Sequence, residues 1–512
     1  MTKPLILGLS ATLRNARSSA SSTNLVQELE GLDRREDLDE FMTSQAKIHL
    51  DQFIAAGRAK EVPFDEMYRR LRKMGGTRGL SNSEVCLVAA LWAARNGGVR
   101  IEHASLADHF PANGDALDIE TLKQRLRRAD GIILATPVYF GDRSSLSQRF
   151  IEMLRADETL RRDLAGKVYG GISVGAKRNG GQETALIYQM LDMIDIGLLA
   201  VGNDFETTSQ YGGTGHAGDI GTMPKDTYGI NTSLGVGRRI AHVTLSLDAG
   251  HHCTLKAPLR LGLWILQDRD GEAGKRAKQA IEKSLKNSST AAELKTINFT
   301  EDTIRPCIAC DICPTHVGPD SEYRCIIGLK DDGLYKNHQK LMDVDVLMPV
   351  VFCPVDRDGL VSVYQQFMER TRYLRRGDYV FSDRLVVPIV FVEVGANEHM
   401  DVRLLTSFIR HHTVMQKPVV GLIHDGRLLN SNEVEQTLRA AIENGKFVLQ
   451  GRLATTDSMP DKLRYNPVGY VLSQAKDRDA ESLHARELLV EQRNRKSRKE
   501  KTERLTIEDP DS

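Results

Sequence analysis

No stretch of this sequence is both long and apolar. Its apolar runs, of which Leu385 to Val394 is among the longest, are interrupted (here by Pro388 and Glu393) and fall far short of the ~20 residues a membrane span requires. No membrane role is expected. The opening MTKPLILGLSA enters its first strand too soon to hold the longer apolar segment of a signal peptide, so a cytoplasmic location is expected. A surplus of charge is missing as well: 69 Lys and Arg stand against 69 Asp and Glu, which argues against a general nucleic-acid role. The glycine-rich dinucleotide fingerprint is absent after the first strand. A disulfide framework is also not expected, because the seven cysteines are an odd number and four crowd between Cys307 and Cys325. In a reducing compartment that grouping favours a metal site.

What is present is enough chain for two or three domains: 512 residues against the ~100–200 of a usual domain. The organising stretch is Ala129 to Leu154. There Gly131 to Ala135 is continuously apolar, as in a parallel strand covered on both faces, and Leu146, Phe150, Met153 and Leu154 recur at helical spacing. Between them Pro137, Val138, Tyr139, Phe140 and Gly141 form a rigid loop. In an open α/β sheet such a loop lies at the ligand crevice, and its aromatic residues suit a flat ligand.

Taken in order, Pro4 to Leu9 is an apolar strand followed by Ser10, Thr12, Arg14 and Asn15. Hydroxyls and a guanidinium at a helix entry suit a phosphate monoester. A charged, helix-periodic segment over about 31–76 reads as an inserted helical pair, either beside the ligand as a lid or subunit contact or an inert elaboration. Ser81 with Glu84 then makes a capping box before the apolar helix VCLVAALWAA. Strands follow at Val99 to Ala104, at Gly131, at Lys167 to Val174 and at Gly197 to Gly202, with glycine-rich loops at Gly175 to Glu183 and Tyr211 to His216. This βα alternation predicts a doubly wound parallel sheet.

The pieces GLSATLRN, GLSNSE, ATPVYFG, KVYGGISVGAKRNGGQET and YGGTGHAGD resemble the flavodoxin-like NADPH-dependent FMN reductases, and especially their iron–sulfur flavoprotein relatives. That resemblance implies that Ser10, Thr12, Arg14, Ser81, Asn82 and Ser83 hold an FMN phosphate. It implies that Pro137, Val138, Tyr139, Phe140 and Gly141 line the isoalloxazine, with Gly175, Gly180 and Gly181 framing its other side. The departure from the family is the insertion that splits the phosphate loop.

The second half echoes the first. PLRLGL at 258–263 repeats Pro4 to Leu9, Val344 to Phe352 with Cys353-Pro354-Val355 repeats the organising strand, and Val386 to Gly395 repeats KVYGGISVG. The expected architecture is therefore α/β: two tandem flavodoxin-like doubly wound parallel sheets flanked by helices, the first with a helical insertion. Expected boundaries are 1–250 for an FMN-binding domain, 257–430 for a degenerate copy carrying the cysteines, and 431–512 for an extension with a charged tail. Gln267 to Glu272 replace the phosphate loop with carboxylates that would repel a phosphate, and Asp356 to Asp358 replace the ring loop and remove its aromatic surface, so no second FMN is expected.

The copy instead carries Cys307, Cys310 and Cys313 followed by a proline, with Cys325 after eleven further residues. Three thiolates on one tight loop plus a fourth suit a [4Fe–4S] cluster. Zinc is the second candidate, since its structural sites more often use two separated ligand pairs. Cys325 is the most distant of the four in sequence, Cys86 and Cys253 read as core and linker residues, and Cys353 is an alternative ligand. The end, with RNRKSRKEK, reads as a solvated helix or disordered tail, with a partner-docking arm as the alternative.

Together these readings predict an FMN-dependent, NAD(P)H-driven oxidoreductase that passes electrons between FMN and the cluster. The alternative is a non-catalytic flavin carrier or scaffold with structural zinc. A small-molecule or protein redox partner is expected. The two halves are expected to form a pseudo-dimer within the chain, and a homo-oligomer is left open. No acid or base is named, since hydride transfer to a flavin needs none; Tyr139 and His216 are candidates for contacting ring or substrate.

Overall fold

The computed structural model describes residues 3–14, 19–58, 62–72, 78–112, 114–207, 209–310, 313, 325–458 and 476–507. The chain divides into two compact units, Met1–Leu245 and Ser246–Ser512. Among the described residues no helix is long and apolar enough to cross a membrane.

The first unit has a parallel sheet built from β1 (Leu5–Ser10), β2 (Arg100–Ser105), β3 (Gly131–Pro137), β4 (Val168–Gly175), β5 (Leu199–Ala200) and β6 (Gly213–His216). β1 pairs with both β2 and β3, and β4 pairs with β3, β5 and β6. The order β2-β1-β3-β4-β5 is the flavodoxin-like one, with its switch point between β1 and β3. Every residue of β1 and β4 is buried, so both are apolar on two faces rather than alternating.

The fifth position differs from the expected single strand at Gly197 to Gly202. Along β4, β5 pairs with Val168 and Tyr169, and β6, expected as a loop, pairs Ile172↔Gly213 through Gly175↔His216. The Asn203 amide donates to the carbonyls of Gly212 (3.1 Å) and Thr232 (2.8 Å) and anchors the crossover between the two pieces. Gly212 permits it, because at φ 146° a Cβ there would stand 2.3 Å from the Gly171 carbonyl oxygen.

Residues 35–72 hold the helices Arg35–Phe53 and Phe64–Arg72, while 73–77, including Met74, Gly75 and Gly76, lie outside the described residues. Gln45 ties the first of these helices to the main body, accepting from Leu80 N on its carbonyl (3.2 Å) and from Gly79 N on its side chain (2.9 Å).

The second unit contains β7 (Cys253–Leu255), β8 (Leu259–Asp268), β9 (Ala292–Asn298), β10 (Val346–Cys353), β11 (Val361–Ser362), β12 (Leu385–Val386), β13 (Ile389–Glu393), β14 (Val414–Met415), β15 (Val419–His424), β16 (Arg427–Leu428) and β17 (Leu505–Ile507). β8 pairs in parallel with β9 and β10, β10 with β12 and β13, β12 with β14 and β13 with β15. The strand order matches that of the first unit, with the fourth position broken where Pro388 lacks an N–H for the ladder.

The charged C-terminal segment is a helix, as one of the expectations had it, but it is solvated only in part. Lys476–Arg504 is a helix whose Leu489, Val490, Asn494 and Arg504 are buried, and β17 pairs antiparallel with β7. The reason is a buried acid: Asp345, fully enclosed ahead of β10, accepts from Arg504 (2.7 and 3.0 Å) and from Arg260 (2.9 and 3.2 Å). Arg504, buried at the end of the helix, thus has its counter-charge in Asp345, while Arg495, Lys496, Arg498 and Lys499 are exposed.

Candidate functional site

The crevice at the β1/β3 switch point is assembled by polar stitches. Ser10 pairs with Ser105 on one side and Ala135 on the other. Ala11 N donates to the Ala135 carbonyl (2.9 Å), and Ser144 Oγ donates to the Ala11 carbonyl (2.7 Å). Ser144 N in turn donates to Thr136 Oγ1 (2.9 Å), so the loops after β1 and β3 are joined. Ser10 is fully buried and its Oγ has no hydrogen-bond partner; the same is true of Ser105 Oγ. A buried hydroxyl left unpaired costs about 1–3 kcal/mol, which marks this as a place for a polar ligand. Beyond it Thr12 Oγ1 accepts from Arg14 N (3.2 Å), and the Arg14 guanidinium stacks over Phe53 at 5.6 Å. Asn15 lies outside the described residues.

The helix Asn82–Asn96 brings the second group of hydroxyls to the same edge. Its C-terminus runs within a few residues into the start of β2, so its N-terminus lies beside the carboxyl ends of the parallel strands, where Ser10 sits. Ser81 Oγ accepts from Glu84 N (3.4 Å) while the Glu84 carboxylate accepts from Ser81 N (2.8 Å), forming the capping box. Asn82 Nδ2 donates to the Asp219 carbonyl (3.0 Å), which ties this helix start to the loop after β6. Ser83 is buried in the first turn. His49, buried nearby, is held neutral down to about 4, first by burial and then by the Arg14 charge.

The ring-side loops meet through two glycines. Tyr139 N donates to the Asp142 carbonyl (2.8 Å) and Asp142 N returns the bond (2.9 Å), which closes a tight turn with Phe140 at φ 52° and Gly141 at φ 80°. Positive φ at both central residues is the signature of a type I′ turn. Phe140 is fully exposed at its tip, and Tyr139 is more than half exposed. Gly181, at φ 99°, packs so closely that a Cβ would fall 2.5 Å from Gly141 Cα. Gln182 fixes this second loop by accepting from Gly180 N (2.8 Å) and donating to the Lys177 (2.7 Å) and Gly215 (3.1 Å) carbonyls. Arg178 pairs with Asp226 and stacks over Tyr228, and Asp226 accepts from His216 N (2.7 Å).

Ser10, Pro137 and Gly175 thus end strands β1, β3 and β4, Ser81, Asn82 and Ser83 start a helix, and the other residues singled out stand on the loops of the first unit. The fasteners Ser144, Gln182 and Asn82 were hidden as such. Gln182 and Asn82 stand inside the family motifs and Ser144 just after one, but the carbonyls of Gly215, Asp219 and Ala11 that they bind are far away in sequence.

The equivalent crevice of the second unit is filled by its own side chains. The Asp268 carboxylate accepts from Ala273 N (2.9 Å) and Gly274 N (3.1 Å), occupying the helix start where a phosphate would bind. Arg269 stacks over Phe352 at 5.2 Å and pairs with Glu393 (3.0 Å). Gln267 donates to the Phe352 carbonyl (2.7 Å) and to Glu398 (2.9 Å).

Cys307, Cys310, Cys313 and Cys325 form no disulfide, and each is partly exposed. Among the described residues no three His, Cys, Asp or Glu side chains converge on a metal position, and 311–312 and 314–324 lie outside those residues. Ala309, at φ 51°, bends the chain between the first two cysteines. Four partly exposed thiols outside any disulfide are a suitable donor set for a soft metal or cluster. Cys353 is not: burial first, and then the Glu398 charge, push its thiol up to about 12, so it stays protonated.

The family model for NADPH-dependent FMN reductase matches residues 74–205. An iron-sulfur flavoprotein of Methanocaldococcus jannaschii is 33% identical over 182 residues, covering 33% of this chain and 93% of that protein. An iron-sulfur flavoprotein of Methanosarcina thermophila is 28% identical over 189 residues, covering 33% of this chain and 91% of that protein. An NAD(P)H dehydrogenase (quinone) of Solidesulfovibrio magneticus is 28% identical over 137 residues, covering 25% of this chain and 67% of that protein.

Proposed function

The chain belongs to the NADPH-dependent FMN reductase and iron–sulfur flavoprotein family and is an NAD(P)H-dependent FMN oxidoreductase, and on that premise we propose that it exchanges electrons between FMN in its first unit and a [4Fe–4S] cluster in its second. The observation that carries the flavin half is the buried, unpartnered Ser10 hydroxyl at the switch point, beside two loops joined at Gly141 and Gly181. When bound, FMN takes two electrons from a nicotinamide and releases them singly, whereas a thiolate-ligated cluster carries one at a time.

The side chains have separable tasks. Ser10, Thr12, Arg14, Ser81, Asn82 and Ser83 would hold the phosphate with hydroxyls, one guanidinium and the amides of the Asn82–Asn96 helix start. Pro137, Val138, Tyr139, Phe140 and Gly141 would pack on one side of the ring, with Gly175, Gly180 and Gly181 on the other. Cys307, Cys310, Cys313 and Cys325 would supply four thiolates. The shared strand order supports reading the two units as a tandem duplication of one flavodoxin-like domain, the first with a helical insertion at 31–76. Asp268 and Arg269 support a second copy that has lost its flavin.

One absorbance spectrum of purified protein with metal analysis tests this reading. Expected are about one FMN per chain, bleached by NADPH or NADH, with iron and acid-labile sulfide near four each. One zinc without sulfide would instead favour the flavin-holding scaffold, and colourless protein that takes up no FMN would refute the flavin site.

Arg14→Glu is expected to weaken FMN binding at least about tenfold, a loss of some 1.4 kcal/mol, because it turns attraction for a phosphate into repulsion. Titration of apoprotein with FMN checks it, and melting is expected to stay within a few degrees of wild type. Unchanged affinity would remove Arg14 from the site.

A further inference from the structure

The loop bearing the cysteines has a rigid base. Arg370 and Asp332 are both essentially inaccessible and paired at 2.9 and 3.1 Å. The same guanidinium donates to the Arg305 carbonyl (2.9 Å), two residues before Cys307, and to the Ile327 carbonyl (3.2 Å), two residues after Cys325. Asp332 answers from the other side, accepting from Arg305 N (3.1 Å) and capping the next helical turn at Leu334 N (3.1 Å) and Tyr335 N (3.2 Å). Gly333 N donates to the Thr303 carbonyl (2.9 Å), and Thr303 bridges Asp332 as a parallel pair. Asp302 then binds Lys336 (2.8 Å) and Asn337 (2.9 Å).

A buried ion pair is a weak stabiliser compared with apolar residues of the same shape, because desolvation cancels most of its attraction. What apolar residues lack is the ability to grip two carbonyls from separate segments. Arginine's planar fork does so in a fixed geometry. Both feet of the cysteine loop end on this one side chain.

We propose that Arg370 and Asp332 are positioning residues that clamp the two feet of the 307–325 loop, so that Cys307 and Cys325 stay within reach of one metal centre. This rests on the reading that the four cysteines hold a metal. The clamp limits how far the first and last thiolates can separate, and so sets how slowly the centre is lost once formed.

Arg370→Lys keeps a cation beside Asp332 but cannot hold both carbonyls. In the full-length protein, hydrogen exchange over 303–335 is expected to rise about tenfold while β10 and β13 keep their protection. Iron release to a chelator is expected to accelerate by a similar factor. Unchanged exchange over 303–335, or an equal rise throughout 246–512, would overturn the clamp. If wild-type protein holds no metal the cluster reading fails, and the exchange pattern still decides the clamp. Asp332→Asn, carried through the same measurements, serves if Arg370→Lys does not fold. Failure of both to fold would make the pair a general fold determinant and overturn the proposal.

Discussion

Asp345→Asn is expected to lower the stability of the second unit by about 3–5 kcal/mol, the usual result of removing one partner from a buried charge network. The carboxylate is completely enclosed and has three arginines on it: Arg260 at 2.9 Å, Arg504 at 2.7 Å and Arg452 at 3.5 Å. Asparagine keeps the shape and two polar atoms but leaves those cations without their counter-charge. Arg384 shows what that environment does to a buried cation even with Asp345 and Glu500 nearby. Burial, with Arg452 adding to it, lowers its guanidinium to about 9.

The pH dependence has a definite sign. Burial alone would raise the Asp345 carboxyl, but hydrogen bonds from Arg504 and Arg260 outweigh it and hold the group well below the ordinary carboxylate range. Its contribution is therefore complete above the unfolded value of about 4 and is lost as the pH falls through the folded value. Urea unfolding at pH 7 and at stepwise lower pH measures both effects. Wild type should lose stability on acidification more steeply than the variant. The Lys476–Arg504 helix should become protease-sensitive first, because Arg504 and Glu500 attach it to this network. A variant within ~0.5 kcal/mol of wild type, the range of a neutral surface change, would mean that the helix is docked by Leu489 and Val490 rather than by charge.

The same residues show why part of the molecule could be read from sequence and part could not. Strands such as Leu5–Ser10 and Gly131–Pro137 announce themselves because they are buried on both faces and every position must be apolar or small. The Ser81 capping box is legible because its two partners are three residues apart. Asp345 is not, because its partners Arg260 and Arg504 are far off along the chain and an isolated Asp before a strand looks like any turn residue. RNRKSRKEK misleads only in part: its Arg495, Lys496, Arg498 and Lys499 are exposed as their charge suggests, whereas Arg504, just beyond the run, meets the buried Asp345. In the pocket, residue types indicated the ligand class, whereas the joins made by Ser144 to Ala11 and by Gln182 to Gly215 depend on topology. Gln267 to Glu272 was readable as hostile to phosphate from its carboxylates alone. That Asp268 caps the helix start itself required the fold.

Gly181→Val is expected to weaken FMN binding by about 100-fold, or ~2.7 kcal/mol, through the geometry of the ring-side loops. Position 181 has φ 99°, and the new Cβ would meet the Gly141 backbone at 2.5 Å, a contact that no rotamer can relieve. The turn carrying Tyr139 and Phe140 must then move away from the β4 loop, opening the slot between them. Backbone strain alone would also lower stability, so a second glycine separates the two effects. Gly114 has nearly the same φ, 103°, with nothing within 4 Å of its would-be Cβ. Gly114→Val should therefore melt lower by a similar amount while binding FMN as wild type does. Fluorescence titration of both apoproteins at fixed ionic strength, with melting curves beside them, compares the two substitutions directly. Wild-type affinity in Gly181→Val would mean that the contact between the two loops has no part in holding the ring.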